Sequence, residues 1–83
     1  MEFTLIWADS ALDSIKKFDK NIAKQIYNKV GQLRINPHRY VKKLVGSPFF
    51  RLRVGDYRVI LEINQNILQV LIVKVGHRKN IYD

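Results

Sequence analysis

Apolar positions in the first half of the chain recur with the period of a helix. Four of them follow one another at intervals of four, four and three residues: Ile22, Ile26, Val30 and Leu33. Side chains at this spacing share one face, so the pattern predicts a helix with an apolar stripe. Residues 19–21 offer a cap at its start, and Asn36-Pro37 ends it because proline lacks a backbone donor and restricts the residue before it.

A shorter strand and helix precede this segment. Residues 2–7 are rich in strand-forming side chains and predict a first strand. Asp9 or Ser10 can cap the helix that follows, with Asp13 in its first turn. Its inner side is predicted to carry three apolar residues, Leu12, Ile15 and Phe18.

The second half of the chain changes to the two-residue period of strands. Residues 49–54, 57–64 and 67–75 are strand candidates, separated by the pairs Gly55-Asp56 and Gln65-Asn66. Connectors of two residues are typical of β-hairpins, so the three strands predict an antiparallel meander. Residues 37–48 are interpreted as a loop and residues 76–83 as a tail after the last strand.

The predicted element order is β-α-α-β-β-β. This is an α+β fold in which an N-terminal helical hairpin packs on one face of a small, mostly antiparallel sheet. At 83 residues the chain forms one domain, residues 1–83. Its core is expected to join the helical stripe to the alternate strand residues Leu52, Val54, Val59, Leu61, Ile63, Leu68, Val70 and Ile72.

The charge balance points towards polyanions. Fifteen Lys and Arg against seven Asp and Glu give a net charge of +8, and residues 36–83 carry nine basic and three acidic groups. A concentrated positive field attracts nucleic acid, although a merely solubilising surface remains the alternative. Without cysteine, disulfides and thiolate metal sites are excluded, and no apolar run or basic leader predicts a membrane span or signal peptide. We therefore expect a cytoplasmic protein.

Strand alternation predicts where the second-half arginines lie. If Leu52 and Val54 face the helices, Arg51 and Arg53 face away from them. Arg58 has the outward parity on the next strand, so the three arginines can share the outer face of one hairpin. Guanidinium groups match phosphate oxygens in bidentate geometry, so this face is interpreted as a phosphate-binding surface rather than a solvated one.

The tail adds groups that suit metal-free RNA cleavage. His77, Arg78 and Tyr82 follow the last predicted strand and are expected to reach the same face. Attack of a 2′-hydroxyl on the adjacent phosphate needs a base, cations for the phosphorane and an acid for the 5′-oxygen. Further RNA or ribosome contacts are assigned to the other basic residues of this half, Arg39, Lys42, Lys43, Lys74 and Lys79. The acidic residues are scattered, so no metal or cofactor is expected, and His38 is interpreted as a surface residue.

The segments "FRLRVGDYRVILEI" and "LIVKVGHRKNIY" together resemble the RelE/ParE toxin superfamily of type II toxin–antitoxin systems, closest to RelE-type mRNA interferases. The resemblance implies a small basic ribonuclease that cuts messenger RNA in the ribosome without metal. It also implies a RelB-like antitoxin that neutralises the toxin, with operator DNA contacted only through the toxin–antitoxin complex. The implied catalytic residues are Arg51, Arg53, Arg58, His77, Arg78 and Tyr82.

Two departures from the family pattern shape the expected chemistry. Relatives carry lysines where this chain has Arg51 and Arg53, and arginine does not release its proton. His77 is therefore the hypothesised base or acid, with Glu62 as a weaker candidate for the base. Some relatives continue into a C-terminal helix, and we expect none after Tyr82 in this sequence. A ParE-like gyrase poison and an inactive RNA- or antitoxin-binding relative remain alternative functions.

Overall fold

The structure is a computed structural model and describes residues 1–81. Two α-helices span Asp9–Ile15 (α1) and Lys20–Gly31 (α2), and two 3-10 turns follow them at Gln32–Arg34 and Pro37–Arg39. The strands are β1 Thr4–Trp7, β2 Lys42–Lys43, β3 Phe50–Val54, β4 Tyr57–Asn64 and β5 Gln69–His77.

The five strands form one sheet in the order β1-β5-β4-β3-β2. Neighbouring strands are antiparallel except β1 and β5, which pair in parallel with Thr4 opposite Gln69. Between these two parallel strands the chain passes through both helices to β2 at the far edge and returns through β3 and β4. The predicted α+β fold is confirmed.

The helix caps agree with the sequence at one helix and differ at the other. The Asp19 side chain accepts a hydrogen bond from the backbone N–H of Asn21 at 3.1 Å, as the cap prediction required. The predicted cap of α1 by Asp9 or Ser10 is wrong, because Ala8 takes the N-cap position without a side-chain bond. The Ser10 hydroxyl instead donates to the carbonyl of Val73 in β5, at 3.2 Å.

The core lies between the helices and one face of the sheet. The predicted stripe supplies Ile26 and Val30 from α2 and Leu33 from the 3-10 turn after it, all fully buried, while Ile22 is half-buried. The predicted helix end at Asn36-Pro37 is wrong, because α2 ends at Gly31 and the chain continues as a 3-10 turn. The stripe residues meet inward-facing strand residues that are also buried, among them Leu52, Val54, Val59, Leu61, Val70 and Ile72. The sequence prediction omitted three buried residues of this cluster, Phe3, Ala11 and Val75.

Two predicted connections are longer or more ordered than expected. The interval 37–48 is not a plain loop, since it contains the second 3-10 turn and the short strand β2 at the sheet edge. The predicted two-residue connector Gln65-Asn66 is a turn over residues 65–68, in which Leu68 adopts a left-handed conformation with φ of 51°. The Gly55-Asp56 connector is confirmed, with Gly55 at a φ of 57° that glycine adopts without strain.

The last strand differs most from its prediction. It runs to His77 rather than to residue 75, so Gly76 and His77 belong to the sheet and not to the tail. A β-bulge interrupts its pairing with β4, because Leu61 lies opposite Ile72 whereas Ile60 lies opposite Lys74. Val73 is therefore the extra residue, and the side chains after it change sides relative to a regular strand.

Candidate active site on the outer face of the sheet

The predicted arginine face exists on the side of the sheet away from the helices. Arg53 lies directly opposite Arg58 in the β3–β4 register, and Arg51 lies opposite Ile60. Side chains directly opposite each other in antiparallel strands share a face, so all three arginines point outward. Together with Arg78, from the turn after β5, we call these residues the arginine cluster.

Arg58 is held at the centre of the cluster. Arg58 is only 9% exposed, although it lies on the outer face of the sheet. One terminal nitrogen donates to the carbonyls of Gly55 and Tyr57, both at 2.9 Å. The tight Gly55-Asp56 turn presents these two carbonyls, so the hairpin turn fixes the guanidinium before any ligand arrives.

The other arginines are close enough to perturb Arg58 electrostatically. Partial removal from water is the largest cause that lowers the pKa of Arg58 below its usual value, followed by the charges of Arg53, Arg51 and Arg78. The carboxylate of Asp56 opposes this shift and raises the pKa. Four guanidinium groups therefore converge on one place, which is the condition for binding a multiply charged anion.

Arg78 is tied to the same turn. Its backbone N–H donates to the carbonyl of Asp56 at 2.8 Å, and its Nε lies 3.8 Å from Asp56 Oδ1. Both side chains are more than half exposed, so this ion pair is weak and open to competition from a stronger anion. Asp56 was not among the predicted site residues, although an acidic residue within a turn beside arginines was a visible signal.

His77 does not lie on the arginine face. It is directly opposite Tyr57, whereas Arg58 is opposite Gly76, so His77 points to the helix side. Its ring packs against that of Tyr57, with 5.3 Å between the ring centroids, and the Tyr57 centroid lies 5.0 Å from that of Phe18. Its Nδ1 accepts the backbone N–H of Lys79 at 3.2 Å. The expectation that His77 shares a face with the arginines is wrong, because the bulge at Val73 moves it to the other side.

The bulge brings Lys74 onto the outer face instead. Lys74 lies opposite Ile60, which lies opposite Arg51, and Arg51 lies opposite Lys42. The four side chains form one row across four strands, with exposed lysines at its two ends. Ile60 is only 7% exposed, so an apolar floor lies between the cationic groups. Glu62 follows Ile60 by two residues on the same face, as predicted.

The other predicted RNA-binding residues are dispersed. Arg39 stacks over the ring of Tyr40 at 5.9 Å, beside His38, which contacts Gln65 at the end of β4 remote from Arg58. Lys43 lies on the helix side, where its ammonium bonds the carbonyl of Ser47 and lies 5.8 Å from the Phe50 ring. The structure therefore brings Lys42 and Lys74 near the arginine cluster, leaves Lys79 exposed in the turn after β5, and separates Arg39 and Lys43 from it.

The segment after β5 folds back over the outer face. The Asn80 N–H donates to the His77 carbonyl at 2.8 Å, and Ile81 is buried. A Cβ placed on Gly76 would lie 3.0 Å from Ile81 Cδ1, so the Ile81 side chain occupies the space that any other residue would fill at position 76. Gly76 is opposite Arg58, and Ile81 therefore reaches the edge of the cluster. The predicted catalytic Tyr82 lies outside the described residues.

Two further features bear on the class of protein. Within residues 1–81, no cluster of three or more His, Asp or Glu side chains has the arrangement of a metal site. No helix in this part of the chain is long and apolar enough to cross a membrane.

Comparison with known proteins identifies the family. The family described as "ParE toxin of type II toxin-antitoxin system, parDE" matches residues 5–82. Toxin RelE3 of Methanocaldococcus jannaschii is 41% identical over 44 residues, which are 52% of this chain and 48% of that protein. The match thus spans about half the length of this curated relative. The chain belongs to the ParE toxin family of type II toxin–antitoxin systems.

Solved structures share the fold over nearly the whole chain. The toxin–antitoxin complex RelBE2 of Mycobacterium tuberculosis matches with a TM-score of 0.87 and 26% identity, covering 94% of this chain and 100% of that one. The RelB–RelE complex of Methanococcus jannaschii has a TM-score of 0.74 and 27% identity, covering 94% and 95%. The archaeal RelE–RelB complex of Pyrococcus horikoshii, with a TM-score of 0.82, 23% identity and coverage of 98% and 100%, shares the fold.

Proposed function

We propose that this member of the ParE toxin family is a ribosome-dependent endoribonuclease that cleaves messenger RNA on its arginine cluster. The observation that carries the proposal is the convergence of Arg51, Arg53 and Arg78 on a central, fixed Arg58. Resemblance to RelE-type toxins and the RelE relative support the same reaction class.

The chemistry follows from what guanidinium groups do well. The 2′-hydroxyl attacks the adjacent phosphate, and the phosphorane that forms carries more negative charge than the ground state. Donors fixed before the reaction stabilise that charge without reorganising, and Arg58 is already oriented by the carbonyls of Gly55 and Tyr57. Arg53 and Arg51 lie beside it for bidentate contacts to phosphate oxygens. Tyr82 is proposed to stack on a base or orient a hydroxyl.

The proposal includes an antitoxin and the ribosome as partners. Several relatives of known structure are complexes of RelE with RelB. We propose that a RelB-like antitoxin neutralises this chain by covering the arginine cluster. With a net charge of +8, the toxin should meet an acidic antitoxin in an encounter that salt weakens.

A gyrase poison is the second candidate, because the matching family is described by ParE. In that function the arginine cluster would bind DNA or the enzyme rather than cleave RNA. Gyrase poisoning breaks DNA and induces the SOS response, whereas messenger cleavage leaves new RNA ends inside coding frames. The two functions therefore differ in a measurement that needs no purified partner.

The test is inducible expression in a bacterium of the wild type, Arg78→Ala and the control Arg34→Ala. Arg34 is an exposed arginine that bonds the carbonyl of Gly31, outside the arginine cluster, so both variants lose one positive charge. Growth, an SOS reporter and the ends of translated messages are followed together. We expect the wild type and Arg34→Ala to arrest growth and produce new ends within coding frames, and Arg78→Ala to do neither.

Other outcomes lead to other functions. Growth arrest with intact messages and an active SOS reporter would replace the ribonuclease by the gyrase poison. Equal activity of Arg78→Ala and Arg34→Ala would remove the arginine cluster from the mechanism. A harmless wild type that still binds its antitoxin would support the inactive relative.

A further inference from the structure

The proposed reaction needs a proton donor that the arginine cluster lacks. When the P–O5′ bond breaks, the departing 5′-oxygen must gain a proton, and arginine does not give one up in proteins. His77, the hypothesised donor, lies on the helix side of the sheet against Tyr57. The donor has to be sought among the remaining outward-facing side chains.

Few of those side chains can release a proton. The outward positions on β3, β4 and β5 are Arg51, Arg53, Arg58, Ile60, Glu62, Asn64, Gln69, Leu71, Lys74 and Gly76. An ionised carboxylate such as that of Glu62 accepts hydrogen bonds but has no proton to donate. Within these three strands, Lys74 is the one outward side chain whose charged form carries a proton it can transfer.

The bulge in β5 determines that Lys74 faces outward. In a regular strand Lys74 would follow Ile72 onto the core side, but Val73 is an extra residue and Lys74 turns outward. The Ser10 hydroxyl, which bonds the Val73 carbonyl at 3.2 Å, attaches the bulge to α1. Lys74 then stands directly opposite the nearly buried Ile60 and diagonal to Arg58, a separation of about 7–8 Å between such positions.

We propose that Lys74 is the general acid that protonates the 5′-oxygen of the RNA. This assignment rests on the proposed ribonuclease function. In the step, the P–O2′ bond forms and the P–O5′ bond breaks. The Lys74 ammonium gives one proton to O5′ and becomes a neutral amine, which water reprotonates, while the 2′-hydroxyl proton passes to water. The products are a 2′,3′-cyclic phosphate and a free 5′-hydroxyl.

Helix α2 supplies a matched control outside the proposed site. Lys24 is an exposed lysine on α2, which packs on the opposite side of the sheet from the arginine cluster. Lys74→Arg and Lys24→Arg both keep the positive charge and remove the transferable proton. A role of Lys74 that depends only on charge would survive its replacement by arginine.

The experiment uses the full chain with ribosomes programmed by a short synthetic messenger. A second messenger has sulfur in place of the bridging 5′-oxygen at the cleaved linkage, because a thiolate leaves without needing a proton. We expect Lys74→Arg to cleave the oxygen messenger about 10²-fold or more slowly than the wild type. The same variant should cleave the sulfur messenger at the wild-type rate, and Lys24→Arg should match the wild type on both. Lys74 is exposed, so the melting temperature of Lys74→Arg should equal that of the wild type.

The outcomes separate this assignment from the function on which it rests. Cleavage of the oxygen messenger by Lys74→Arg at the wild-type rate would overturn the acid role and leave the ribonuclease intact. Slow cleavage of both messengers would also overturn it, because a proton donor is not needed for the sulfur messenger. A wild type that cuts neither messenger would overturn the proposed function and this assignment together.

Discussion

The two faces of the sheet separate what stabilises the protein from what we propose it does. Leu61 and Arg58 are three residues apart on β4, yet Leu61 is fully buried in the apolar core whereas Arg58 points outward among other cations. The inner face is held by burial and close packing, and the outer face gathers like charges that repel one another. Substitutions on the inner face should therefore change stability, and those on the outer face should change activity.

The largest expected effect is on the inner face. Leu61→Ala removes a side chain with no exposed surface and should lower the free energy of unfolding by about 2–5 kcal/mol. For a chain of this size, that is a large share of the total stability. Urea denaturation of the purified protein measures it. A loss below that of an exposed substitution such as Ile35→Ala would contradict the described core.

The second expected effect is on the outer face, where a substitution should reduce activity much more than stability. Arg58→Lys keeps the charge but loses the planar fork that bonds two carbonyls and reaches towards the ligand. RNA cleavage should fall about 10²–10³-fold, as for other fixed donors to a transition state. The melting temperature should fall far less than in Leu61→Ala. A variant that unfolds as readily as Leu61→Ala would mean that Arg58 is chiefly a structural residue.

A smaller effect is expected where the two faces meet, at the hairpin turn. Gly55 has a φ of 57°, so Gly55→Ala should lower the free energy of unfolding by about 1–2 kcal/mol. It should also weaken the hydrogen bond between Arg58 and the carbonyl of residue 55. In a domain of this length each kcal/mol lowers the melting temperature by about 4–8 °C. Gly31→Ala is the control, since Gly31 ends a helix without positive φ and its new Cβ would have no contact below 3.4 Å. Equal melting temperatures for the two variants would argue against a strained turn.

The smallest effect is predicted for His77→Gln. Because His77 faces the helices, its replacement should leave the rate of RNA cleavage unchanged between pH 5 and 8. Loss of its ring contact with Tyr57 should lower the free energy of unfolding by about 0.5–1.5 kcal/mol. Cleavage rates across this pH range, compared between wild type and variant, give the answer. A pH-dependent rate that disappears in His77→Gln would return this histidine to the mechanism.

Local patterns were enough to predict most of the fold. The Asp19 cap and the Gly55-Asp56 turn depend on residues close in sequence, and each is confirmed. The apolar stripe is confirmed as a buried face, although α2 ends two residues before Leu33. The outward parity of Arg51, Arg53 and Arg58 is confirmed for the same reason, since β3 and the start of β4 alternate regularly.

What could not be predicted depends on contacts between distant segments. The bulge at Val73 involves the Ser10 hydroxyl, which comes from α1, and it decides which of Lys74 and His77 faces outward. A signal was nevertheless present, because regular alternation from Ile72 would have buried Lys74 and exposed Val75. The burial of Arg58 likewise follows from carbonyls in the folded turn and not from its strand position.

The lowered pKa of Arg58 has a thermodynamic consequence beyond the reaction. Guanidinium groups that lie close together and partly out of water repel one another and lower the stability of the folded chain. Any polyanion that binds only the folded state raises the free energy of unfolding by mass action, with the logarithm of its concentration relative to its dissociation constant. The melting curve of this small domain is thus a binding assay in itself, and it can rank messenger fragments, DNA and acidic antitoxin peptides on a single scale.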